Sequence, residues 1–437
     1  MRGFERRILA VAAALALLGP AATWPADDKV KEEPAQAEQP ADTPKDEKPK
    51  EQAAVMANGA ADAFAIESQN GDYRLVLGMV AQADGRFSLD DPKPMVNTFT
   101  VRKIRPTFTG RITKWFDFKV MPDFGNGTTV VQDAYFDIRF SPAFRVRTGK
   151  DKTPIGYELL QGDAFLLFPE RALASSLVPN RDIGIQAQGD VAGGKLFYAA
   201  GVFNGVPDGT SSTTELDTNN AKDLAGRVLV QPFKSAKAPA GALNGLGFQV
   251  GGSGGRQIGA LPSFKTSVGQ TYFSYNAAAA ASGVRKRVSP AVFYYFKSFG
   301  AFGEYMRSAQ PVVKGGVQTG VTNQAWEVTV SILLTGEGAS YAGVRPKENF
   351  DPAKGHWGAL QLLGRYTTLR VDRAAFTAGL AAANASREAR SFTIAANWYP
   401  TAYIKYYATF ERTVFDGSPR GARPAENVIL VRAQLGF

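Results

Sequence analysis

Hydrophobic and polar residues alternate along much of the chain after residue 73, with turns rich in Gly, Pro, Asn and Asp between the alternating segments. A period of two is typical of β-strands that are buried on one face only. The clearest hydrophobic faces consist of Ile104, Phe108, Ile112, Phe116, Phe118, Val120, Trp326, Val328, Val330, Ile332, Ile404, Tyr406 and Phe410. Because amphipathic helical patterns are scarce, the chain is expected to be an all-β protein with antiparallel strands.

Two architectures share this alternation. A soluble sandwich buries its apolar face, whereas a transmembrane barrel turns that face to lipid and its polar face to the lumen. The barrel is favoured because aromatic pairs near predicted strand ends (Trp115-Phe116, Tyr294-Tyr295, Trp398-Tyr399) suit interfacial girdles and because an amphipathic strand ends at Phe437. We therefore expect residues 61–437 to form a transmembrane β-barrel with an even number of strands, about 14 to 18.

The first 60 residues have a different composition. Three arginines precede a short apolar stretch, residues 8–18, and small residues follow it. This is the pattern of a secretory signal peptide rather than of a core helix, and we expect it to comprise residues 1–22. Residues 23–60 are rich in Pro, Ala and charged side chains and are predicted to form a disordered linker.

The chain has no cysteine and one histidine, His356. Disulfides, thiolate metal sites and cysteine nucleophiles are therefore excluded, and Ser-His chemistry would depend on His356, which we expect in a loop or at a strand start. The sequence GGSGG at residues 251–255 matches G-x-S-x-G, but a nucleophile elbow needs a strand-to-helix context, so a flexible loop is predicted. We accordingly expect no enzyme, no catalytic residue, no metal site and no cofactor.

The predicted barrel is strongly basic. The whole chain carries +10, residues 1–24 carry +2 and residues 25–60 carry −4, which leaves +12 on residues 61–437. Fixed bases on a lumen wall attract anions and repel cations, and arginine binds phosphate with two parallel hydrogen bonds. Seven bases lie opposite the hydrophobic face of their segments, namely Lys103, Arg105, Arg111, Lys119, Arg139, Arg145 and Arg147.

Other charged residues of this region have structural interpretations as well. Asp133 and Asp137 share the lumen face with Arg139 and are expected to position it through salt bridges rather than to bind cations. Lys150 and Lys152 lie near a strand end and fit either a solvated turn or an anion funnel at the pore mouth.

Three short stretches and several weaker ones resemble the phosphate-selective porins O and P of Gram-negative outer membranes. The similarity is spread over most of residues 70–437, and its strength lies in the order and spacing of the stretches rather than in one signature. They are VRKIR at residues 101–105, RTGKDKTPIG at 147–156, FPER at 168–171, PNRDIG at 179–184, LTGE at 334–337, GHWGA at 355–359 and NWYP at 397–400.

This resemblance implies a 16-stranded barrel, a homotrimer, and a loop that folds into the channel. The inward loop would comprise residues 155–180, with Arg171 and Arg181 matching arginines of the family. With Lys152 and the seven bases of the lumen face, they make up the predicted anion-binding, pore-lining set. Many relatives carry a coiled coil before the barrel, whereas this chain has a Pro- and charge-rich segment there.

The sequence thus predicts a passive outer-membrane channel for small inorganic anions such as phosphate, polyphosphate or chloride, in contact with outer-membrane lipid and lipopolysaccharide. Two alternatives stay open: a general porin, in which a basic wall faces an acidic loop, and a barrel plugged by its loops with an adhesion or structural role. A basic exported protein could also bind nucleic acid, but no nucleic-acid-binding motif is present, and we expect no such partner.

Overall fold

The computed structural model describes residues 55–56 and 64–437, with the exception of residues 213–216, 218, 236–240 and 420. The predicted signal peptide, residues 1–22, lies outside the described residues, and so does most of the predicted linker, residues 23–60. Two residues of that linker, Val55–Met56, form a short strand.

Twenty strands and one short α-helix follow each other along the described chain. The strands are β1 (Val55–Met56), β2 (Ala65–Glu67), β3 (Tyr73–Ser88), β4 (Thr98–Ile112), β5 (Phe116–Asp123), β6 (Val130–Ser141), β7 (Phe144–Lys152), β8 (Arg181–Val191), β9 (Leu196–Phe203), β10 (Asp223–Val230), β11 (Leu246–Gly259), β12 (Phe264–Lys265), β13 (Thr271–Phe273), β14 (Ala280–Phe296), β15 (Phe299–Lys314), β16 (Val317–Leu333), β17 (Ala359–Arg370), β18 (Glu388–Tyr399), β19 (Ile404–Asp416) and β20 (Glu426–Gly436). The helix α1 comprises Arg373–Thr377, and no helix within the described residues is long and apolar enough to cross a membrane.

Sixteen strands, β3–β11 and β14–β20, pair antiparallel with their neighbours and close into a barrel. The closing pair is β20 with β3, in the register Arg432↔Asp84. The strand β20 covers only the second half of β3, and β2 pairs with the first half. Phe437 and Phe64 meet at this junction with ring centroids 5.0 Å apart. The predicted barrel and its strand number are therefore confirmed.

The outer surface of the barrel carries the hydrophobic residues. On β16, Trp326 and Val328 are 41% and 46% exposed, whereas Glu327 between them is 1% exposed. A soluble sandwich would bury its hydrophobic face. Exposed hydrophobic residues that alternate with buried polar ones therefore indicate a barrel whose outer face contacts lipid.

The two ends of the barrel have different connections. At the end that holds the C-terminus, the turns after β4, β6, β8, β14 and β18 have two to four residues; we call this the short-turn end. The longer connections 153–180, 204–222, 260–279 and 371–387 lie at the opposite, long-loop end. The connection 334–358, which contains His356, is long although it belongs to the short-turn end.

Three of the connections at the long-loop end, residues 153–180, 260–279 and 371–387, share one apolar cluster with the wall. It buries Ile155, Leu173, Leu177, Phe264, Tyr272, Phe273, Leu380 and Ala385 against Met306, Val321, Leu369 and Phe415. The alanine-rich segment 374–383 contains most of α1, which Asp372 caps by accepting a hydrogen bond from the Ala374 amide at 3.0 Å. These segments are packed structure rather than free loops.

The prediction of a flexible loop at residues 251–255 is wrong. This segment lies inside β11 and pairs with β10 on one side and with β14 on the other. A run of glycines has no side-chain alternation, so the period of two cannot reveal a strand there. Gly251 also has a packing role, because a Cβ atom at this position would lie 3.2 Å from Cα of Ile155 in the connection 153–180.

Candidate channel constriction

Residues 153–180 connect β7 to β8 and contact strands on the opposite side of the barrel; we call them the inward loop. Polar side chains of those strands donate hydrogen bonds to its carbonyl groups. Lys405 bonds Leu166 at 2.7 Å, and Asn397 bonds Leu167 at 2.8 Å. Because these donors belong to β19 and β18, and because a loop needs partners for its buried carbonyls, the loop is held across the lumen.

The start of the inward loop is attached to the wall at β15. Glu304 of β15 accepts hydrogen bonds from the amides of Tyr157 at 2.6 Å and Glu158 at 3.2 Å. The side chain of Glu158 in turn accepts from the Ala172 amide at 2.8 Å. Wall carboxylates and loop carboxylates thus organise the loop backbone. The predicted bounds of this loop, residues 155–180, start two residues after the connection between β7 and β8 begins and end where it ends.

Asp163 of the inward loop lies at the centre of a cluster of bases. Its carboxylate is 3.0 Å from Nζ of Lys103 and 3.1 Å from the guanidinium of Arg171, and it also pairs with Arg105. Burial of Asp163 disfavours its charge, but the positive charges of Lys103 and Arg171 hold the pKa of its carboxyl well below the ordinary value. Three of the predicted site residues therefore meet on one loop carboxylate.

Glu170 forms a second centre, with bases that the sequence did not single out. It is 2.8 Å from Arg86, 2.8 Å from Arg102 and 3.4 Å from Arg432. All three come from the seam of the barrel, β3, β4 and β20. The alternation along the first and last strands places Arg86 and Arg432 on the lumen side, although neither was among the predicted site residues.

Lys152 and Arg181 flank the inward loop at its two ends. The Nζ atom of Lys152 donates to the carbonyls of Leu159 and Gln161, both at 2.7 Å. Arg181 is 3% exposed and pairs with Asp133 at 2.6 Å. Neither interpretation of Lys152 as a solvated turn or a mouth funnel describes this contact, since the half-buried side chain bonds the carbonyls of the inward loop.

The other predicted bases lie on the wall of β4–β7. Most of them pair with acids of the same wall: Arg111 with Asp117 at 3.4 Å, Arg139 with Asp117 at 3.5 Å, Lys119 with Asp133 at 2.8 Å, and Arg147 with Asp137 at 2.7 Å. Arg145 has no ion pair with any described residue. Asp133 and Asp137 thus form the predicted kind of salt bridge, but with Lys119, Arg181 and Arg147 instead of Arg139.

A cavity of about 550 Å³ adjoins the inward loop on its long-loop side. Seven bases and four carboxylates line it. Six of the bases belong to the barrel wall and the inward loop, and the seventh, Lys265, belongs to the connection 260–279. Lys265 is exposed and makes no ion pair within the described part of the chain. The cavity therefore has an excess of positive charge in spite of its many ion pairs.

Two further cavities lie between the inward loop and the short-turn end, separated by residues of the connection 334–358. One, of about 380 Å³, is lined by Arg227 and Lys234, and the other, of about 560 Å³, by Arg345 and Lys405. No acidic side chain among the described residues lines either cavity. Tyr341 fixes the dividing segment, because its hydroxyl donates to the carbonyl of Tyr157 at 2.9 Å.

A closed barrel with an apolar outer face, and a lumen narrowed by a loop between charged cavities, defines an outer-membrane channel protein. The family model of the phosphate-selective porins O and P matches residues 76–437. The chain belongs to this family, whose members are channel proteins of bacterial outer membranes rather than enzymes. No curated protein matches the chain significantly.

Solved structures with the same fold are only distantly similar in sequence. The outer-membrane channel DcaP of Acinetobacter baumannii has a TM-score of 0.53 at 12% identity and covers 85% of this chain and 99% of its own. OmpT expressed in the outer membrane of Vibrio cholerae gives 0.51 at 10% identity, covering 84% of this chain and 98% of its own. OmpF of Salmonella typhi in complex with daunomycin gives 0.51 at 10% identity, covering 84% and 99%. At such identities the likeness concerns the fold alone.

Proposed function

We propose that this protein is a passive channel that favours small inorganic anions, with phosphate or polyphosphate as its principal substrate. The observation that carries this proposal is the charge of the three lumen cavities. Bases outnumber acids in the cavity on the long-loop side of the inward loop. The two cavities on its short-turn side are lined by bases without acids among the described residues. The family name supports the same preference.

An anion would pass between two groups of bases. It would enter from the long-loop end near Lys265 and Arg181, then pass the inward loop, and leave beside Arg227 and Lys234 or beside Arg345. Several separate sites allow binding that is strong enough to replace part of the hydration shell yet weak enough to release the ion. No covalent chemistry is involved.

A general porin is the second candidate, and a specific observation favours it. Lys103, Arg105, Arg171 and Arg181 are all neutralised by Asp163, Asp123 or Asp133. Such pairs create a local field across the lumen with little net charge. If the permeating ion interacted mainly with these neutralised pairs, the channel would distinguish only weakly between anions and cations.

Substitution of exposed bases in the two cavities on the short-turn side distinguishes the anion-selective channel from the general porin. In planar bilayers under a KCl gradient, we expect the purified protein to give an anion-selective reversal potential and phosphate to reduce its chloride current. The variant Lys234→Glu with Arg345→Glu should lower the ratio of anion to cation permeability about twofold or more, because it reverses two lumen charges.

The matched control is Lys114→Glu, which changes an exposed base in the turn between β4 and β5, outside the cavities. It should leave the reversal potential unchanged. Weak selectivity of the wild type together with no block by phosphate would establish the general porin. An absence of conductance would establish a plugged, non-transport barrel instead.

We also propose that the chain is exported by its N-terminal signal peptide to a Gram-negative outer membrane and assembles there as a homotrimer. The outward face of β4–β6 supports the trimer, since it carries a cluster of exposed phenylalanines, Phe99, Phe108, Phe116, Phe136 and Phe140. Large apolar patches of this kind suit contacts between subunits as well as contacts with lipid.

The oligomer can be tested with two matched substitutions. Phe136 and Ile394 are 49% and 48% exposed on opposite sides of the barrel. Native mass spectrometry should give a mass of three chains for the wild type and for Ile394→Glu, but a mass of one chain for Phe136→Glu. The same mass for both variants would remove the β4–β6 face from the interface.

A further inference from the structure

Six bases lie on the outer, hydrophobic surface of the barrel rather than in its lumen. They occur on strands that are adjacent in the sheet, β11, β14, β15, β17, β18 and β19, interrupted only by β16, which has Gln324 at the corresponding place. We call them the outward basic band: Arg256, Lys286, Arg307, Arg370, Arg390 and Arg412.

The alternation along each strand fixes their orientation. On β18, Phe392 and Ile394 are 50% and 48% exposed, whereas the alternate residues Ser391 and Thr393 are buried. Arg390 has the same parity as the two exposed hydrophobic residues and therefore points out of the barrel. The same parity holds for Arg412 on β19, where Phe410, Ala408, Tyr406 and Ile404 continue the outward series.

The strand register places the six bases at one level. Arg307, Gln324 and Arg370 lie in one cross-strand row. Relative to this row, the base on β11, Arg256, lies four residues nearer the long-loop end, and the base on β19, Arg412, lies four residues nearer the short-turn end. Strands that are tilted by about 40° and spaced about 4.8 Å apart need an offset of roughly 1.2 residues per strand to bring their side chains to the same height in the membrane. The observed offset agrees, so the band runs parallel to the membrane.

The height of the band coincides with the edge of the apolar surface. Roughly eight to eleven residues separate each base from the short-turn end of its own strand. Tilted strands of that length span about 25 Å, the height of the apolar zone of outer-membrane barrels. Since long loops of such barrels face the exterior, the band lies at the headgroups of the outer leaflet.

The charge of the band is only partly balanced. Arg370 pairs with Glu388 at 2.9 Å, and Arg390 pairs with Asp416. Within the described residues, Arg256, Lys286 and Arg307 have no acidic partner. Six bases and two carboxylates therefore leave an excess of positive charge at the membrane boundary.

A groove of about 240 Å³ opens in the middle of the band. The rings of Tyr305, Trp326 and Tyr366 form its wall on the apolar side, and Arg370 and Arg390 line its other side together with Glu388, the ion-pair partner of Arg370. Aromatic side chains of this kind anchor a barrel at the headgroup level. The groove thus offers an apolar surface for an acyl chain directly beside two guanidinium groups.

We propose that the outward basic band binds the phosphate groups of phosphorylated outer-leaflet lipid. Guanidinium groups donate paired hydrogen bonds to phosphate oxygens, and bases near a membrane surface are attracted to anionic headgroups. The outward residues at the long-loop ends of β4–β6 are apolar instead, including Phe99, Val101, Phe124 and Val130. The band therefore occupies the side of the barrel that would face lipid in the trimer proposed above. The inference rests on the barrel fold and not on the selectivity of the channel.

The experiment compares lipid binding by two matched triple variants. The band variant is Arg307→Gln with Arg370→Gln and Arg390→Gln, and the control replaces three exposed bases of the short-turn end, Lys114, Lys195 and Lys297, by Gln. Native mass spectrometry would measure binding of diphosphoryl lipid A and of phosphatidylcholine. We expect the band variant to bind diphosphoryl lipid A about tenfold or more weakly, while the control and phosphatidylcholine binding stay unchanged.

Two measurements keep the result interpretable. Electrophoretic migration before and after boiling shows whether each variant is a folded barrel, and excess inorganic phosphate shows whether the site prefers free phosphate to lipid. Equal lipid A binding by the wild type and the band variant would overturn the proposal, and so would displacement of lipid A by inorganic phosphate. Because the band is outside the lumen, the reversal potential of the band variant should equal that of the wild type, whichever ion the channel prefers.

Discussion

Replacement of residues 156–177 by a short Gly-Ser linker should raise the single-channel conductance of this protein at least about twofold, since a 16-stranded barrel without an internal loop leaves a wide aqueous channel. The segment fills the lumen between β7 and the opposite strands β17–β20, where Arg365 donates to the carbonyl of Glu170 at 2.9 Å. Its removal should also reduce ion selectivity, because an ion in the widened lumen passes farther from the bases of the wall.

The barrel wall should survive this change. The sixteen strands pair through their own backbones, and β7 and β8 pair directly from Arg145↔Gln188 to Lys152↔Arg181. Heat-modifiable electrophoretic migration would verify that the variant is closed. A conductance equal to that of the wild type would show that the inward loop is not the constriction, and would assign this role to the in-turned connections 260–279 and 371–387.

A milder variant serves as the comparison. Lys152→Met removes the two hydrogen bonds from Nζ to the carbonyls of Leu159 and Gln161 but keeps the loop and its acidic residues. Loss of a charge-assisted hydrogen bond costs about 1.5–3 kcal/mol. The mean conductance should change little, whereas the current noise of the open channel should increase as the loop moves more freely.

The barrel could be predicted from the sequence because its strands follow one simple rule. Side chains alternate between lipid and lumen, so exposed hydrophobic residues such as Trp326 and Val328 and the buried Glu327 between them appear as a period of two. The same rule placed Lys103 and Arg105 in the lumen, where both are buried. The boundaries of the inward loop were predictable from the family resemblance and not from the alternation.

The partners of the lumen bases could not be predicted in this way. Asp163 and Glu170 belong to a loop without periodicity, and their contacts with Arg105 and Arg86 join residues 58 and 84 positions apart. Such contacts depend on how the loop crosses the lumen, and no local pattern contains that information. Most side chains of the predicted basic face are therefore paired with acids, which the alternation alone does not reveal.

Asp163→Asn should raise the ratio of anion to cation permeability and at the same time loosen the inward loop. The substitution leaves Lys103, Arg105 and Arg171 without the carboxylate that they share. Removing one partner of a buried ion pair costs about 3–5 kcal/mol, because the remaining charges lose their compensation. The energy should appear as weaker docking of the loop, which limited proteolysis between residues 153 and 180 and the noise of the open channel would measure.

Asp123→Asn is the matched control, because it removes one lumen carboxylate without touching the loop. Asp123 belongs to β5 and pairs with Arg105 at 2.7 Å. Both variants remove one negative charge from the lumen, so both should shift the reversal potential in the anion-selective direction. Only Asp163→Asn should accelerate cleavage of the loop. Equal rates of cleavage in the two variants would mean that Asp163 does not hold the loop. A shift of the reversal potential in the cation-selective direction would mean that the charge near Arg105 does not select the permeating ion.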